Sequence, residues 1–290
     1  MENLRIPYQG SKNAIAETLI YKMREYKPNA KYFYDLFGGG GAMSFKALQM
    51  GYTVIYNEYD SGLTVLLNYI LNRIKNNQRS KYGLFPEEFY NFVTREEFIK
   101  QKDLCTPYAE FIKIVYSFGN NRKDYLFNPE LEKIKHIMHD VVVFRNKKEL
   151  KKLNIILNTN FIIPEELTIN ERRLNLGRQI KSNNKRIDLQ QLEQLERLTV
   201  LNKSYDKVPI PLKDEEVIVY CDPPYRKTAN YKIDFDCNKF DEWVKNSDKT
   251  IFISEYNAPF DEIMAIKKRC TLSAAGNYER IEKLFISKNS

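Results

Sequence analysis

Asp222-Pro223-Pro224-Tyr225 is the stretch whose residue types could most directly do chemistry. It follows Val217-Ile218-Val219-Tyr220-Cys221, a short apolar, β-branched run that reads as a buried strand. An acid, two prolines and an aromatic thus sit at the carboxyl end of a strand, where open α/β sheets bind their ligands. The prolines fix φ and withdraw two backbone N–H donors, so the strand stops and the chain turns rigidly. That leaves an acceptor carboxylate, a free carbonyl and an aromatic face close together. A planar base with an exocyclic amine suits such a site: carboxylate and carbonyl accept its two N–H groups, and the ring stacks. Taken alone, the tetrapeptide reads more simply as ordinary strand-ending turn chemistry, since Asp-Pro is common in turns.

A second constellation lies near the start. Lys31-Tyr32-Phe33-Tyr34-Asp35-Leu36-Phe37 is strand-like and runs into Gly38-Gly39-Gly40-Gly41, then into the helical Ala42–Leu48. Strand, glycine turn and helix open a Rossmann-type unit; glycine admits close backbone approach and the helix N-terminus favours negative charge. The turn is neither a dinucleotide fingerprint nor a phosphate-binding P-loop. A further strand, Tyr52–Tyr56, ends in Asn57-Glu58-Tyr59-Asp60. An acid at the end of the second strand, about 20 residues beyond the glycine turn, is placed to accept from ribose hydroxyls. Glu58 alone could simply neighbour a helix cap; with the glycine turn it points to a nucleoside-bearing cofactor. Before both lies the loop Pro7-Tyr8-Gln9-Gly10-Ser11-Lys12, where Ser11 could cap the following helix and Gly-Ser-Lys could hold an anion.

These groups need a scaffold, and the chain has material for one. It has 290 residues with 43% hydrophobic content, enough for a large core domain carrying an insertion. Its net charge of +8 and pI of about 9.0 are compatible with a polyanionic partner. Cys105, Cys221, Cys237 and Cys270 lie far apart without a C-x-x-C pair, which excludes a sequence-evident zinc or disulfide framework and predicts reduced thiols in the cytoplasm. The N-terminal Met1–Arg5 lacks an apolar signal core, and no apolar run approaches a membrane span, so a soluble protein that is not exported is expected.

Helix 61–75 carries the chain out of the first unit, and from about 76 to 185 the α/β alternation lapses. Tyr116–Tyr125 reads there as an exposed loop with base-capable groups. Residues 172–186 hold six basic residues and no acid, and Arg145–Lys152 holds five against one Glu. Such cations suit phosphate contacts, although a solvated helix face is the simpler reading of either run alone. His136 and His139 stand three apart with no third ligand apparent, and read as structural or surface residues; Trp243 reads as packing. Alternation resumes with an amphipathic helix over 189–197 and strands at Leu198–Asn202, Val217–Cys221, Thr250–Ser254 and Lys283–Ser287. Two βαβ stretches thus flank a basic insertion: residues 1–75 and 186–290 as a catalytic, cofactor-binding domain, and 76–185 as a target-recognition domain.

In that order and spacing the motifs resemble the Dam-type DNA N6-adenine methyltransferases, in the class whose cofactor motif precedes the catalytic one. Asp222–Tyr225 matches the family's D-P-P-Y motif, Asp35–Gly41 its F-x-G-x-G loop, and Tyr8 to Lys12 its aromatic-x-G-x-K segment. Asn57-Glu58 takes the acidic ribose position, Ser204-Tyr205 falls on the motif before the catalytic strand, and Phe252–Tyr256 and Glu282–Ile286 look like the closing strands. Tyr8 stands where Trp is frequent, Ser11 where Gly is common, and Glu58 where Asp is usual; none of these removes a function. The resemblance implies a Rossmann-like α/β methyltransferase sheet with a mainly helical inserted DNA-recognition domain. It implies S-adenosyl-L-methionine as methyl donor, no metal, and an adenine flipped from duplex DNA as acceptor, as in restriction–modification enzymes. Asp222, Pro223, Pro224 and Tyr225 become catalytic. Tyr8, Lys12, Asp35, Phe37, Gly38, Gly39, Gly41, Glu58, Ser204, Tyr205 and Asp222 become cofactor-binding. Asn120, Asn121, Arg122, Lys123, Arg172, Arg173, Arg178 and Lys181 become DNA-binding by position and chemistry, although Gly119–Arg122 does not reproduce the family's GATC-reading pattern. An N4-cytosine methyltransferase and a DNA-binding protein without catalysis are the competing readings.

Overall fold

A computed structural model describes residues 11–118, 121–180, 195–225, 235–270 and 278–287. The chain divides into two compact units, one of Met1–Ile6, Gly10–Thr64 and Asp188–Ser290, the other of Pro7–Gln9 and Val65–Ile187.

The first unit is built on a seven-stranded sheet. Its strands are β1 (Tyr32–Asp35), β2 (Thr53–Asn57), β3 (Leu198–Leu201), β4 (Val217–Cys221), β5 (Ile251–Glu255), β6 (Asp261–Cys270) and β7 (Tyr278–Ile286), in the spatial order β3-β2-β1-β4-β5-β7-β6. The first five in that order pair in parallel, whereas β7 runs antiparallel between β5 and β6. Every residue of β4 and β5 is buried, as continuous apolar runs covered on both faces must be. The strand order reverses between β1 and β4, the switch point at which doubly wound sheets open a crevice beyond their carboxyl ends. In the β1 register, Asp35 lies opposite both Tyr56 and Tyr220, so the ends of β1, β2 and β4 are level. Asn57 staples the ends of β1, β2 and β3: its side-chain amide donates to the Leu36 and Lys203 carbonyls, both at 3.0 Å, and accepts from the Lys203 N–H.

Helices α1 (Ala16–Tyr26) and α2 (Ala42–Gln49) bury Leu19, Ile20 and Met23, and Phe45, Ala47 and Leu48. The core on the other side joins Val217, Val219, Ile251 and Ile253 to Phe240 and Val244, with Trp243 packed against them. Strand β6 was not foreseen: its Lys- and Arg-bearing sequence lacks the apolar run that marks β4, and pairing with β7 carries it. Of the helix expected over 189–197, residues 189–194 lie outside the described set, and Leu195–Arg197 form one 3₁₀ turn.

Helix α3 (Ser61–Lys75) starts in the first unit and continues into the second, where it is followed by α4 (Arg95–Gln101), α5 (Pro107–Tyr116), α6 (Pro129–Phe144), α7 (Lys147–Leu157) and α8 (Ile169–Ile180). Thr94, Thr106, Asn128 and Asn146 cap the starts of α4 to α7, each side chain accepting a backbone N–H of the first turn. Two clusters form its interior, one around Val141, Val142, Leu153 and Leu176, the other around Val93, Phe98, Ile112 and Tyr125. None of the described helices is long and apolar enough to cross a membrane.

Candidate active site

Asp222 leaves the end of β4 and meets a lysine from far upstream. Lys12 Nζ lies 2.8 Å from Asp222 Oδ1 and 2.7 Å from Oδ2, and 2.6 Å from the Tyr225 hydroxyl. Lys12 is 3% exposed and the Asp222 side chain 22%, so the ion pair is rooted in protein and open on the acid's side. Lysine has no lone pair to offer, so the Tyr225 hydroxyl accepts from Lys12 and its own proton goes elsewhere. It goes to Glu282 Oε1 on β7, 2.6 Å away. The Tyr225 ring is further set by an edge contact with Tyr256 at 4.5 Å between centroids. Burial first, then the charges of Asp222 and Glu282, hold the Tyr225 proton on far above the ordinary phenol range. Tyr225 is therefore a neutral ring with a fixed hydroxyl, not a base.

The glycine turn stands beside this cluster. Gly41 takes φ +76° at the cap of α2, a conformation that side chains rarely adopt. A Cβ on Gly38 would stand 2.2 Å from the Tyr56 ring, so the turn lies flat on that ring. Tyr56 in turn donates its hydroxyl to the Gly39 carbonyl at 2.7 Å. Glu58 closes the other side: Oε2 accepts from the Gly39 N–H at 2.7 Å and Oε1 from the Asp60 N–H at 2.8 Å. Its carboxylate is thus clamped at the end of β2 next to the turn.

Asp35 is the unusual member. It is 1% exposed, Oδ2 accepts from the Ser44 hydroxyl at 2.7 Å, and Oδ1 is buried without a hydrogen-bond partner. Burial, opposed by Ser44 and reinforced by the charges of Asp222 and Glu58, pushes its carboxyl up to about 7. A buried acceptor without a donor is costly unless something supplies one. Phe37 and Tyr205 stack at 5.4 Å beside this acid's strand end, and Tyr205 is pushed up to about 12, mainly by burial. Ser204 donates to Asp206, turning it to its own 3₁₀ turn. Lys12, Asp35, Phe37, the turn, Glu58, Tyr205 and Asp222–Tyr225 all belong to the first unit; Ser44, Tyr56 and Glu282 join them without having been singled out from sequence. Glu282 could have been noticed as the acid interrupting the alternation Ile281-Glu282-Lys283-Leu284. Tyr8 lies outside the described residues.

The second unit places the expected DNA-reading residues unevenly. The reading of Tyr116–Tyr125 as an exposed loop is corrected: Tyr116 ends α5, and Tyr116, Ser117 and Tyr125 are buried. The two tyrosine rings stack nearly parallel at 6.5 Å, and Tyr125 donates to the Val93 carbonyl. Arg122 turns inward at φ +60°, its side chain 11% exposed, to pair with the buried Glu110. Arg172 is likewise buried and donates to the Val143 carbonyl at 3.3 Å. Asn121 folds the turn itself, accepting from the Lys123 and Asp124 N–H groups, and Lys123 is left exposed. Arg173 is half-buried and Arg178 falls on α8, while Asn120 and Lys181 lie outside the described residues. His139 is half-buried with Nε2 2.6 Å from the Tyr90 carbonyl, and desolvation lowers it to about 4, as expected of a neutral structural imidazole.

Residues 8–252 match the D12 class N6 adenine-specific DNA methyltransferase family. No curated protein matches the chain.

Proposed function

The chain belongs to the D12 class N6 adenine-specific DNA methyltransferase family, and from that premise we propose how its residues carry out methylation of adenine N6 in DNA. The methyl donor in this reading is S-adenosyl-L-methionine, and the acceptor is an adenine extruded from duplex DNA. Bound, the cofactor supplies an electrophilic methyl group. The residues fit it on structural grounds: Asp35 Oδ1 is an orphaned buried acceptor suited to an ammonium, and the glycine turn, packed against the Tyr56 and Phe45 rings, offers backbone without side chains. Glu58, clamped by two backbone N–H groups, keeps acceptor capacity for ribose hydroxyls. Phe37 and Tyr205 offer an aromatic wall.

The amine of adenine is a poor nucleophile because its lone pair is delocalised into the ring. The Asp222 carboxylate and the Pro223 carbonyl accept its two N–H bonds, shift N6 toward sp³ and aim the lone pair. Both Asp222 oxygens already accept from Lys12. Each carboxylate oxygen has two lone-pair sites, so ion pair and amine can be accepted together. Lys12 keeps Asp222 charged and fixed, and Tyr225 stacks on the base, offsetting an unstacking cost of a few kcal/mol. The contribution is orientation and electrostatic stabilisation, with no covalent enzyme intermediate. A DNA substrate and the free thiols of Cys105, Cys221 and Cys237 suit a cytoplasmic enzyme.

The observation that carries this reading is Asp222 at the switch point, held by Lys12 beside the glycine turn. Tritiated-methyl transfer to unmethylated DNA, followed by digestion with methylation-sensitive nucleases, tests it. Asp222→Ala should abolish transfer while calorimetry still registers cofactor binding; full transfer by that variant would overturn the assignment.

A further inference from the structure

We propose that Glu282 is a positioning residue for methyl transfer: it accepts the hydrogen bond of the Tyr225 hydroxyl and thereby keeps Asp222 open to the adenine amine. The proposal rests on the preceding reading of Asp222. The family match ends at residue 252, so it gives Glu282 no role. Glu282 shares one face of β7 with Leu284 and Ile286, which are at most 1% exposed, and is itself 3% exposed. A carboxylate in such a row is expensive to bury without partners. Its partners are the two groups that surround Asp222: the Tyr225 hydroxyl at 2.6 Å and the Lys12 ammonium at 3.6 Å.

The direction of the network follows from donor count. Lys12 can only donate, and it donates to Asp222 and to the Tyr225 oxygen. The Tyr225 proton must therefore point away from Lys12, and Glu282 receives it. The Asp222 charge also acts on that hydroxyl, which remains protonated. Remove the Glu282 acceptor and the Tyr225 O–H becomes a donor in need of a carboxylate, with Asp222 as the competitor for it. The lone pairs that should receive the amine would then be taken by the enzyme's own tyrosine. Because β7 is flanked by β5 and β6, Glu282 is a rigid anchor for Tyr225.

The 290-residue chain tests this with four variants measured alongside the wild type. Glu282→Ala should lower kcat by about 10- to 100-fold, the cost of a slightly misdirected reacting group. Its affinity for S-adenosyl-L-methionine by calorimetry should stay near wild type, and 2-aminopurine at the target position should still report an extruded base. Glu282→Gln, whose amide oxygen can accept the same hydroxyl, should recover most of the lost kcat. Tyr225→Phe removes the stray donor, so adding Glu282→Ala to it should cost little more. Glu282→Met, which fills the volume without an acceptor, replaces the alanine variant should the latter not fold. An unchanged kcat in Glu282→Ala or Glu282→Met overturns the proposal. So does a loss of kcat that only parallels lost cofactor affinity, is not rescued by Gln, and multiplies with Tyr225→Phe. Wild-type transfer to adenine is measured first and tests the parent reading alone, so the two fail separately.

Discussion

Asp35 shows what a single buried carboxyl can report. Its proton is held to about 7 because burial disfavours the anion and the charges of Asp222 and Glu58 add to that. The folded value lies above the ordinary aspartate value of 3.8, so the protonated form is the one that folding favours. Stability linked to this group is therefore complete below about 4 and is lost as pH rises through about 7. Asp35→Asn should make the ligand-free protein more stable at pH 8 by on the order of 1–4 kcal/mol, and flatten that part of its Tm–pH profile. Cofactor binding reverses the sign. An ammonium set against Oδ1 favours the carboxylate, so binding below about pH 7 must expel a proton. Affinity should rise about fivefold between pH 6 and 7, and calorimetry in buffers of different ionisation heat should show the released proton. Absence of proton release in the wild type would contradict the assignment of Asp35 to the ammonium.

Among the elements, the glycine turn was the most legible and is the most exacting. Strand, four glycines and helix could be read directly because glycine adopts φ +76° at the cap of α2 without strain and leaves no Cβ to meet the Tyr56 ring. Gly38→Ala should cost about 1–3 kcal/mol by overpacking and abolish cofactor binding. Tyr56→Leu in the same chain should restore stability in thermal unfolding, since the clash is with that ring; no recovery would mean the backbone, not Tyr56, sets the requirement. The strands β1, β2, β4 and β5 were equally readable, as buried aromatic and β-branched runs carry their own signal. Strand β6 was not, because its place follows from pairing with β7 and not from its own composition. The same limit governs the site. Asp222, Glu58 and the turn lie at strand ends that sequence locates, whereas Lys12 on Asp222 and Glu282 on Tyr225 join residues 210 and 57 positions apart. The helical insertion was legible as a lapse in alternation, but which of its cations face outward was not. Arg122 and Arg172 have the same composition signal as surface arginines, and only the buried Glu110 and the Val143 carbonyl turn them inward.

For the molecule as a whole, the net charge of +8 must be placed before it means anything for DNA. With Arg122 and Arg172 occupied inside, the exposed cations of the insertion include Lys123, Arg145 and the lysines of α7. Lys147, Lys148, Lys151 and Lys152 recur along α7 around one acid, Glu149, which pairs with Lys152 at 2.6 Å. Apolar Leu153 anchors the opposite side of that helix in the core, so the lysines can be changed without disturbing packing. Phosphate contacts release counterions, and each one contributes about 0.9 to the slope of log K against log salt on duplex DNA. Lys148→Glu combined with Lys151→Glu should therefore weaken binding to any duplex at low salt and lower that slope by about 2, if both lysines meet phosphate. Calorimetric affinity for S-adenosyl-L-methionine should not move, because α7 belongs to the second unit and the cofactor residues to the first. Fluorescence anisotropy of a labelled duplex across a salt series measures the slope. A slope equal to wild type would remove α7 from the DNA-facing surface and leave Lys123 and Arg173 as the cations to test next.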